Sequence, residues 1–295
     1  MRAVLWLLGL MLLVLVHPAF GSDELKGTLK KVRDTGVITL GYREDSIPFS
    51  FLNPGGRPIG YSIDLCNEIA DDVTAELGGR EVEVQYKPVT SENRIAEVVS
   101  GHIDLECGPT TSNHARQKDV AFSPIFFVAG TKLMVKRGSR INSYRDLRDK
   151  TVVVTAGTTN EAAIKALSDK QNLGIKVIAA KDHAESFTQL ASGAADAFAS
   201  DDVLLYGIIA ASKTAADYKV VGEYLSYDPY GLMYRKNDPD FGDVVERTFR
   251  RLAETREIVH IYNKWFQRRL PTGEQLGIPI SPQLEEIFHW LGLPE

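Results

Sequence analysis

Nine residues of this chain combine charge or hydrogen-bonding capacity with a position at a predicted strand end or helix start. They are Arg43, Ser91, Arg94, Pro109, Thr111, Arg116, Thr159, His183 and Asp201. A guanidinium matches a carboxylate through two parallel hydrogen bonds, and a free helix N-terminus also favours an anion. A single carboxylate among several cations suits an ammonium group. The set therefore predicts a site for a small molecule that carries charges of both signs.

One strand–helix–Ser–Gly–x–x–Asp–strand pattern occurs twice in the chain. The first copy runs from Ser91 to Pro109, and the second runs from His183 to Asp201. Alignment of their Ser-Gly pairs makes Ser91 equivalent to His183, and Pro109 equivalent to Asp201. Two similar α/β lobes that face each other would place these groups on opposite walls of one cleft.

Alternating strand and helix patterns predict an α/β fold with a bilobal arrangement. Strands are predicted at 37–42, 81–86, 103–108, 151–155, 176–180, 194–199 and 218–222, and helices at about 62–77, 91–100, 183–191, from 201 onward and at 241–266. This alternation implies largely parallel sheets with helices on both faces. Ligands of open α/β sheets bind beyond the carboxyl ends of the strands, where the predicted site residues lie.

Two segments between the strand–helix cycles, 126–130 and 227–231, are predicted to be crossovers between the lobes. Paired crossovers form a hinge, and hinge closure around a ligand is a known mode of such proteins. The helical region at 241–266 packs most economically on the first cycle, which makes the first lobe discontinuous. The expected boundaries are 22–127 with 228–295 for lobe 1, and 128–227 for lobe 2.

Each candidate also has an ordinary structural explanation. An arginine after a strand is commonly a surface charge, and Ser91 and Thr159 could be helix N-caps. His183 could cap its helix or lie in solvent, and Asp201 could be the N-cap of the helix that follows. The binding hypothesis is favoured because every predicted strand end on the cleft side carries one of these groups. The surplus of arginines indicates a second carboxylate, so the predicted ligand is an acidic amino acid.

Signatures of catalysis are weak. The sequence has no Gly-x-Ser-x-Gly, Gly-x-x-x-x-Gly-Lys-Ser/Thr, Gly-x-Gly-x-x-Gly or His-Glu-x-x-His motif. Ser91, His183 and Asp201 match a hydrolase trio by residue type. However, nothing in the sequence fixes their order, and three nearby arginines do not suit acyl transfer. We expect no catalytic residue, no metal and no cofactor.

Targeting and charge place the protein outside the cytoplasm and away from nucleic acid. The chain has 295 residues and a formal net charge of −5, which disfavours nucleic acid as its main partner. Residues 1–21 are predicted to be a signal peptide, with Arg2, an apolar run and small residues near Gly21. The alternative is an uncleaved anchor, but the run is shorter than the about 20 residues that span a bilayer. We expect cleavage near Gly21 and a soluble exported protein.

The two cysteines, Cys66 and Cys107, are predicted to lie on the first large helix and at the end of a strand beneath it. An oxidising compartment permits a disulfide between them. Two buried free thiols are the other possibility. No Cys-x-x-Cys pair or His/Cys cluster indicates a metal site.

Several motifs make the resemblance to a known family specific. Between residues 26 and 290 the chain resembles family 3 periplasmic solute-binding proteins, through segments 36–50, 60–65, 90–95, 106–118, 152–161 and 180–183. Gly60-Tyr-Ser-Ile-Asp is typical of the wider amino-acid-binding family. Thr90-Ser-Glu-Asn-Arg and Glu106-Cys-Gly-Pro-Thr-Thr point to its acidic-ligand branch. The resemblance implies a type II periplasmic-binding-protein fold, with the ligand in a cleft between two α/β lobes.

The resemblance also implies a role for each site residue. The α-carboxylate would be held by Arg116, Thr111 and Thr159. The α-ammonium would be held by Asp201 and the carbonyl of Pro109. The side-chain carboxylate would be held by Arg43, Ser91, Arg94 and His183, with Phe49 as an apolar wall. Pro109 departs from the serine expected in some close relatives, so only its carbonyl can serve.

The function implied is periplasmic binding of L-glutamate or L-aspartate and delivery to the membrane permease subunits of an ABC importer. The protein is expected to act as a monomer. One rival is an exported, dehydratase-like enzyme on the same fold, with Asp201 or His183 as general acid. The second is a sensory protein that presents its ligand to a receptor.

Overall fold

The computed structural model describes residues 25–295, which form two α/β lobes. The predicted signal peptide and its cleavage near Gly21 lie outside the described residues. Within 25–295, no helix is both long enough and apolar enough to cross a membrane.

The strands are short, and most end near the interface between the lobes. They are β1 (Val37–Tyr42), β2 (Asp45–Ser46), β3 (Ser50–Leu52), β4 (Pro58–Ile59), β5 (Glu83–Pro88), β6 (Leu105–Glu106), β7 (Val120–Phe122), β8 (Phe127–Ala129), β9 (Thr131–Lys136), β10 (Thr151–Thr155), β11 (Lys176–Ala180), β12 (Ala197–Asp201), β13 (Tyr218–Val221), β14 (Asp228–Tyr230) and β15 (Met233–Arg235). The helices are α1 (Gly27–Thr35), α2 (Tyr61–Glu76), α3 (Arg94–Val99), α4 (Thr159–Gln171), α5 (His183–Ser192), α6 (Asp202–Ala211), α7 (Pro239–Glu254), α8 (Glu257–Phe266) and α9 (Pro282–Trp290).

Each lobe is built on a five-stranded sheet, and the two sheets have the same plan. Lobe 1 has the strand order β5-β1-β6-β15-β7, and lobe 2 has the order β11-β10-β12-β9-β13. The first three strands of each sheet are parallel, whereas β15 and β9 run antiparallel to both of their neighbours. The α/β class is as predicted, but the expectation of largely parallel sheets was wrong for these pairs. The reason is that β9 and β15 directly follow the crossovers and enter their sheets from the hinge side.

The repeated sequence pattern occupies equivalent places in the two lobes. Its first copy forms α3 and β6, and its second copy forms α5 and β12, with β6 and β12 at the centre of their sheets. The first copy differs from prediction at its start, because residues 91–93 form a turn and the helix begins only at Arg94. In the second copy the strand lies at Ala197–Asp201 rather than at 194–199.

The crossovers pair with each other as a two-stranded antiparallel ribbon. β8 and β14 pair with Asp228 opposite Ala129 and Tyr230 opposite Phe127. Phe49 packs against both hinge strands, with its ring centroid 5.0 Å from that of Phe127 and 5.3 Å from that of Tyr230. Phe49 is fully buried there and is not among the residues that line the cleft, so its implied role as a ligand wall stays a prediction.

The C-terminal helices complete the core of lobe 1. Phe249 on α7 and Phe266 on α8 share one buried cluster with Ile38 and Leu40 of β1. A disulfide joins Cys66 on α2 to Cys107 just beyond β6, with 6.1 Å between the Cα atoms. The sequence left this bridge open, and the structure forms it because α2 packs directly over the sheet.

Candidate functional site

A small cavity lies between the lobes at the carboxyl ends of the central strands. It is lined by Arg43, Ser91, Arg94, Pro109, Thr111, Thr158, Thr159, Asn160, His183, Asp201 and Leu204. Eight of the nine predicted site residues are in this set, and the ninth, Arg116, lies at the edge of the cavity. The two copies of the repeat therefore contribute facing walls.

Two arginines on the lobe 1 wall have almost no contact with solvent. Arg43 is 2% exposed, and its Nη2 lies 3.8 Å from Oδ1 of Asp45. Its backbone is held in place because its N–H donates to Oγ of Ser50 at 2.8 Å. Arg94 is 3% exposed, and no carboxylate oxygen among residues 25–295 lies within 4.0 Å of its guanidinium. Burial and the charge of Arg116 lower the pKa of Arg94 to about 9.

Ser91 is not a helix cap. The turn before α3 is closed by its neighbours, because Thr90 N–H donates to Oδ1 of Asn93 and Asn93 N–H donates to Oγ1 of Thr90. Within the described part of the chain, the buried Oγ of Ser91 and Nε of Arg94 have no hydrogen-bond partner. Buried polar atoms are nearly always hydrogen-bonded, so these two atoms indicate a ligand-binding wall.

The predicted site residues at the two helix starts of lobe 2 are not N-caps either. Thr158, not Thr159, is the N-cap of α4, and its hydroxyl accepts the N–H of Glu161 at 3.3 Å. Asp182, not His183, caps α5 in the same way. Both predicted residues therefore lie at the first position of their helices, where their side chains line the cavity.

Asp201 is held by side chains rather than by a helix end. It stands at the N-cap position of α6 but makes no capping hydrogen bond. Asn160 Nδ2 donates to its Oδ1 at 2.8 Å, and the hydroxyl of Tyr230 donates to its Oδ2. Burial and the nearby charge of Asp228 raise the pKa of Asp201 to about 7. A cation in the cavity would oppose this shift.

His183 is buried between the two charge types. Its Nδ1 lies 2.8 Å from Oγ1 of Thr155. Burial, opposed by the charge of Asp45 and reinforced by those of Arg43 and Arg94, lowers the pKa of His183 to about 4. At neutral pH the imidazole is therefore uncharged, with one ring nitrogen as a donor and the other as an acceptor.

Arg116 bridges the lobes at the edge of the cavity instead of lining it. Its Nη1 donates to the carbonyl of Thr111 at 2.8 Å, and its Nη2 donates to the carbonyl of Gly157 in lobe 2 at 3.3 Å. Thr111 and Thr159 also meet across the interface, with 3.4 Å between their hydroxyl oxygens. Arg116 is thus beside the two threonines with which the sequence grouped it.

The sequence missed several residues of the site. Asn160 and Leu204 line the cavity, and Asp228 and Tyr230 lie directly behind it on the hinge. Asn160 follows Thr159 directly and could have been found from that neighbour. Asp228 and Tyr230 were assigned only to a crossover, because nothing local in the sequence shows that a hinge strand runs beneath the site.

The match to known proteins covers most of the chain. A family model for bacterial extracellular solute-binding proteins, family 3, matches residues 38–268. The L-glutamate/L-aspartate-binding protein of Pseudomonas aeruginosa is 46% identical over 269 residues, which are 90% of this chain and 89% of that protein. The glutamate/aspartate import solute-binding protein of Escherichia coli K12 is 39% identical over 272 residues, which are 92% of this chain and 88% of that protein.

A solved structure matches the fold. The crystal structure of an ancestral amino acid-binding protein, described as a precursor of cyclohexadienyl dehydratase, superposes with a TM-score of 0.70. It is 30% identical and covers 81% of this chain and 99% of its own. Two equivalent α/β lobes, a cleft lined by both and a match along 38–268 lead to one conclusion: the chain belongs to the bacterial extracellular solute-binding proteins, family 3.

Proposed function

We propose that this protein binds L-glutamate and L-aspartate between its lobes and presents them to the membrane permease subunits of an ABC importer. One observation carries the proposal: the cleft has two buried poles of opposite charge, and neither has an ion-pair partner within 4.0 Å in the described part of the chain. At one pole is Arg94, with no carboxylate oxygen of residues 25–295 within 4.0 Å. At the other are Asp201 and Asp228, with no Lys, Arg or His nitrogen of the same residues within that distance.

A buried charge without a partner is costly, so such poles are complementary to a ligand that brings both charges. An α-amino acid with a second carboxylate supplies an ammonium for the acidic pole and a carboxylate for the basic pole. The names of the relatives from Pseudomonas aeruginosa and Escherichia coli support the same ligand class.

The roles proposed for the residues follow this polarity. Asp201 and the carbonyl of Pro109 receive the ammonium, while Thr111, Arg116 and Thr159 hold the α-carboxylate. The side-chain carboxylate lies against the basic pole, formed by Arg43, Ser91, Arg94 and His183. The neutral imidazole of His183 also faces this pole, with its Nδ1 held by the Thr155 hydroxyl.

Binding is coupled to closure, because the ligand contacts both walls only when the lobes meet. A ligand that binds the closed form better shifts the equilibrium toward it. We propose that residues 22–127 with 228–295, and residues 128–227, move as the two bodies. We further propose that the mature protein is a monomer that begins after cleavage near Gly21 and acts in the periplasm. Its role is to bind the ligand and release it unchanged.

Calorimetric titration of ligand-free protein tests the proposal. L-glutamate and L-aspartate should bind tightly, whereas L-glutamine and L-arginine should bind at least about a hundredfold more weakly, because each leaves a buried charge unpaired. Glutamine binding as tightly as glutamate would contradict the argument for a second carboxylate. Recovery of the ligand unchanged after prolonged incubation, followed by NMR, separates binding from a dehydratase-like reaction.

A further inference from the structure

Asp228 is a second buried acid at the acidic pole, and it belongs to the hinge. It is 2% exposed and is the first residue of β14. Its Oδ1 accepts the hydroxyl of Thr111 at 3.2 Å, and its Oδ2 accepts the hydroxyl of Ser226. Thr111 is itself tied to the hinge strand, because it forms a β-bridge with Tyr230.

A continuous set of hydrogen-bonding groups joins Asp228 to Asp201. From Asp201 it passes to Asn160 Nδ2 at 2.8 Å, and from there to Oγ1 of Thr131 at 2.7 Å. Oγ1 of Thr131 lies 2.7 Å from Oγ of Ser226, which donates to Asp228. Thr131 adjoins one hinge strand, and Ser226 precedes the other. The two acids are therefore connected through both crossovers.

Asp201 is also connected to Asp228 through the hinge strand β14 itself. Tyr230, two residues beyond Asp228 on β14, donates its hydroxyl to Asp201. Tyr230 is fully buried, so this bond fixes the carboxylate of lobe 2 to a strand of the hinge. Other charges near Asp201 are those of Asp202 and, at longer range, Arg116.

We propose that Asp228 is a positioning residue for the ligand's ammonium group, acting through Asp201, and that it links occupation of the acidic pole to the hinge. This inference rests on the proposed function. Two buried carboxylates that are joined by one set of hydroxyl and amide groups repel each other until a cation arrives. The ammonium relieves that repulsion, so its arrival stabilises the arrangement of the hinge strands that holds both acids together. Burial and the charge of Asp228 raise the pKa of Asp201, which is consistent with their proximity.

The test compares Asp228→Asn with the unaltered protein on two ligands, L-glutamate and glutarate, which is glutamate without its amino group. Asparagine has nearly the same shape and keeps an acceptor for Thr111. The affinity for glutamate should fall by about ten- to a hundredfold. The affinity for glutarate, measured by competition, should stay the same or rise, because glutarate has no ammonium group and its carboxylates are no longer repelled by a charge at position 228. Asp217→Asn, which removes an exposed acid from the same lobe as Asp201, should change neither affinity.

The pH profile gives a second readout that a purely structural role would not move. Glutamate affinity should fall on acidification as Asp201 takes up a proton. In Asp228→Asn this fall should occur at lower pH, because Asp201 loses a neighbouring negative charge. Ser226→Ala removes a donor to Asp228 from a half-buried loop. It should weaken the binding of glutamate but not of glutarate. This variant provides the test if Asp228→Asn fails to fold.

The outcomes separate this inference from the proposed function. If the unaltered protein binds neither acidic amino acid, both are overturned. If it binds glutamate but Asp228→Asn and Ser226→Ala weaken glutamate and glutarate equally, or neither, only the inference about Asp228 is overturned.

Discussion

Gly207 of α6 lies against the backbone of Ile47 in the opposite lobe. A Cβ atom on Gly207 would stand 2.2 Å from the carbonyl oxygen of Ile47, far inside van der Waals contact. Ile47 follows β2 in lobe 1, so this approach exists only while the lobes are closed. The absence of a side chain at one helix position thus permits the closed form.

Gly207→Ala should therefore disfavour closure without harming either lobe. Overpacking costs about 1–3 kcal/mol, so affinity for glutamate and aspartate should fall by about tenfold or more. The free energy of unfolding of the ligand-free protein should stay the same or rise by up to about 1 kcal/mol, because alanine favours a helix more than glycine does. Titration calorimetry and urea unfolding measure the two effects. Gly138→Ala, at an open position, is the control; equal affinities for Gly207→Ala and the unaltered protein would refute this account.

Asp45 forms a polar contact across the closed interface. Its Oδ2 accepts the N–H of Ala184 in the first turn of α5 at 3.1 Å. Although burial alone would raise the pKa of Asp45, the electrostatic influence of His183 and Arg43 and this N–H lower it. A carboxylate at a helix N-terminus contributes about 1 kcal/mol. Asp45→Asn should thus weaken glutamate and aspartate alike by roughly fivefold, mainly through faster dissociation in stopped-flow measurements.

The neighbouring Glu44→Gln is the matched control for this change. Glu44 is exposed, and its side chain makes no hydrogen bond within residues 25–295. It should leave the dissociation rate as it is. A change of selectivity between the two ligands in Asp45→Asn would mean that Asp45 touches the ligand.

The two arginines of lobe 1 should respond differently to truncation. Arg94→Ala should weaken glutamate and aspartate by about 2–5 kcal/mol, because a carboxylate is left unpaired, while glutamine binding should change little. The protein would become less selective. Arg116→Ala should weaken every amino acid, since all carry the α-carboxylate. Calorimetry with the same ligands checks both, and an equal loss for all ligands in Arg94→Ala would rule out the proposed division of labour.

Asp201 should make the ligand-free protein sensitive to pH. Its pKa is about 7 in the fold against an ordinary value of 3.8, so the folded state binds the proton more tightly. Its stabilising contribution is therefore complete below about pH 4 and is lost as the pH rises through 7. Urea unfolding at pH 5 and pH 8 should show this loss, and Asp201→Asn should reduce it. Glutamate should bind with release of protons near pH 6, which calorimetry in buffers of different ionisation enthalpy detects.

Local patterns predicted most elements that position the site. The β-branched and apolar runs of Val37–Tyr42 and Thr151–Thr155 gave both strands at their observed bounds. Prediction failed where tertiary contacts override local preference. Ser91 was expected to begin a helix, but the reciprocal bonds of Thr90 and Asn93 close a turn there. The antiparallel strands β9 and β15 could not be foreseen, because their direction depends on how the chain returns from the hinge.

By itself the sequence determined that two similar units each bring polar groups to a strand end, since the repeated pattern fixes side-chain type and strand direction locally. Only the tertiary structure decided which of those groups are free to bind. Capping by Thr158 and Asp182 releases Thr159 and His183, and Arg94 is buried with no carboxylate oxygen of residues 25–295 within 4.0 Å. The tertiary structure also places Asp228 behind Asp201, because two crossover strands distant in sequence pair between the lobes. Whether a charged side chain has an ion-pair partner depends on neighbours that are distant in sequence, and these come together only in the folded chain.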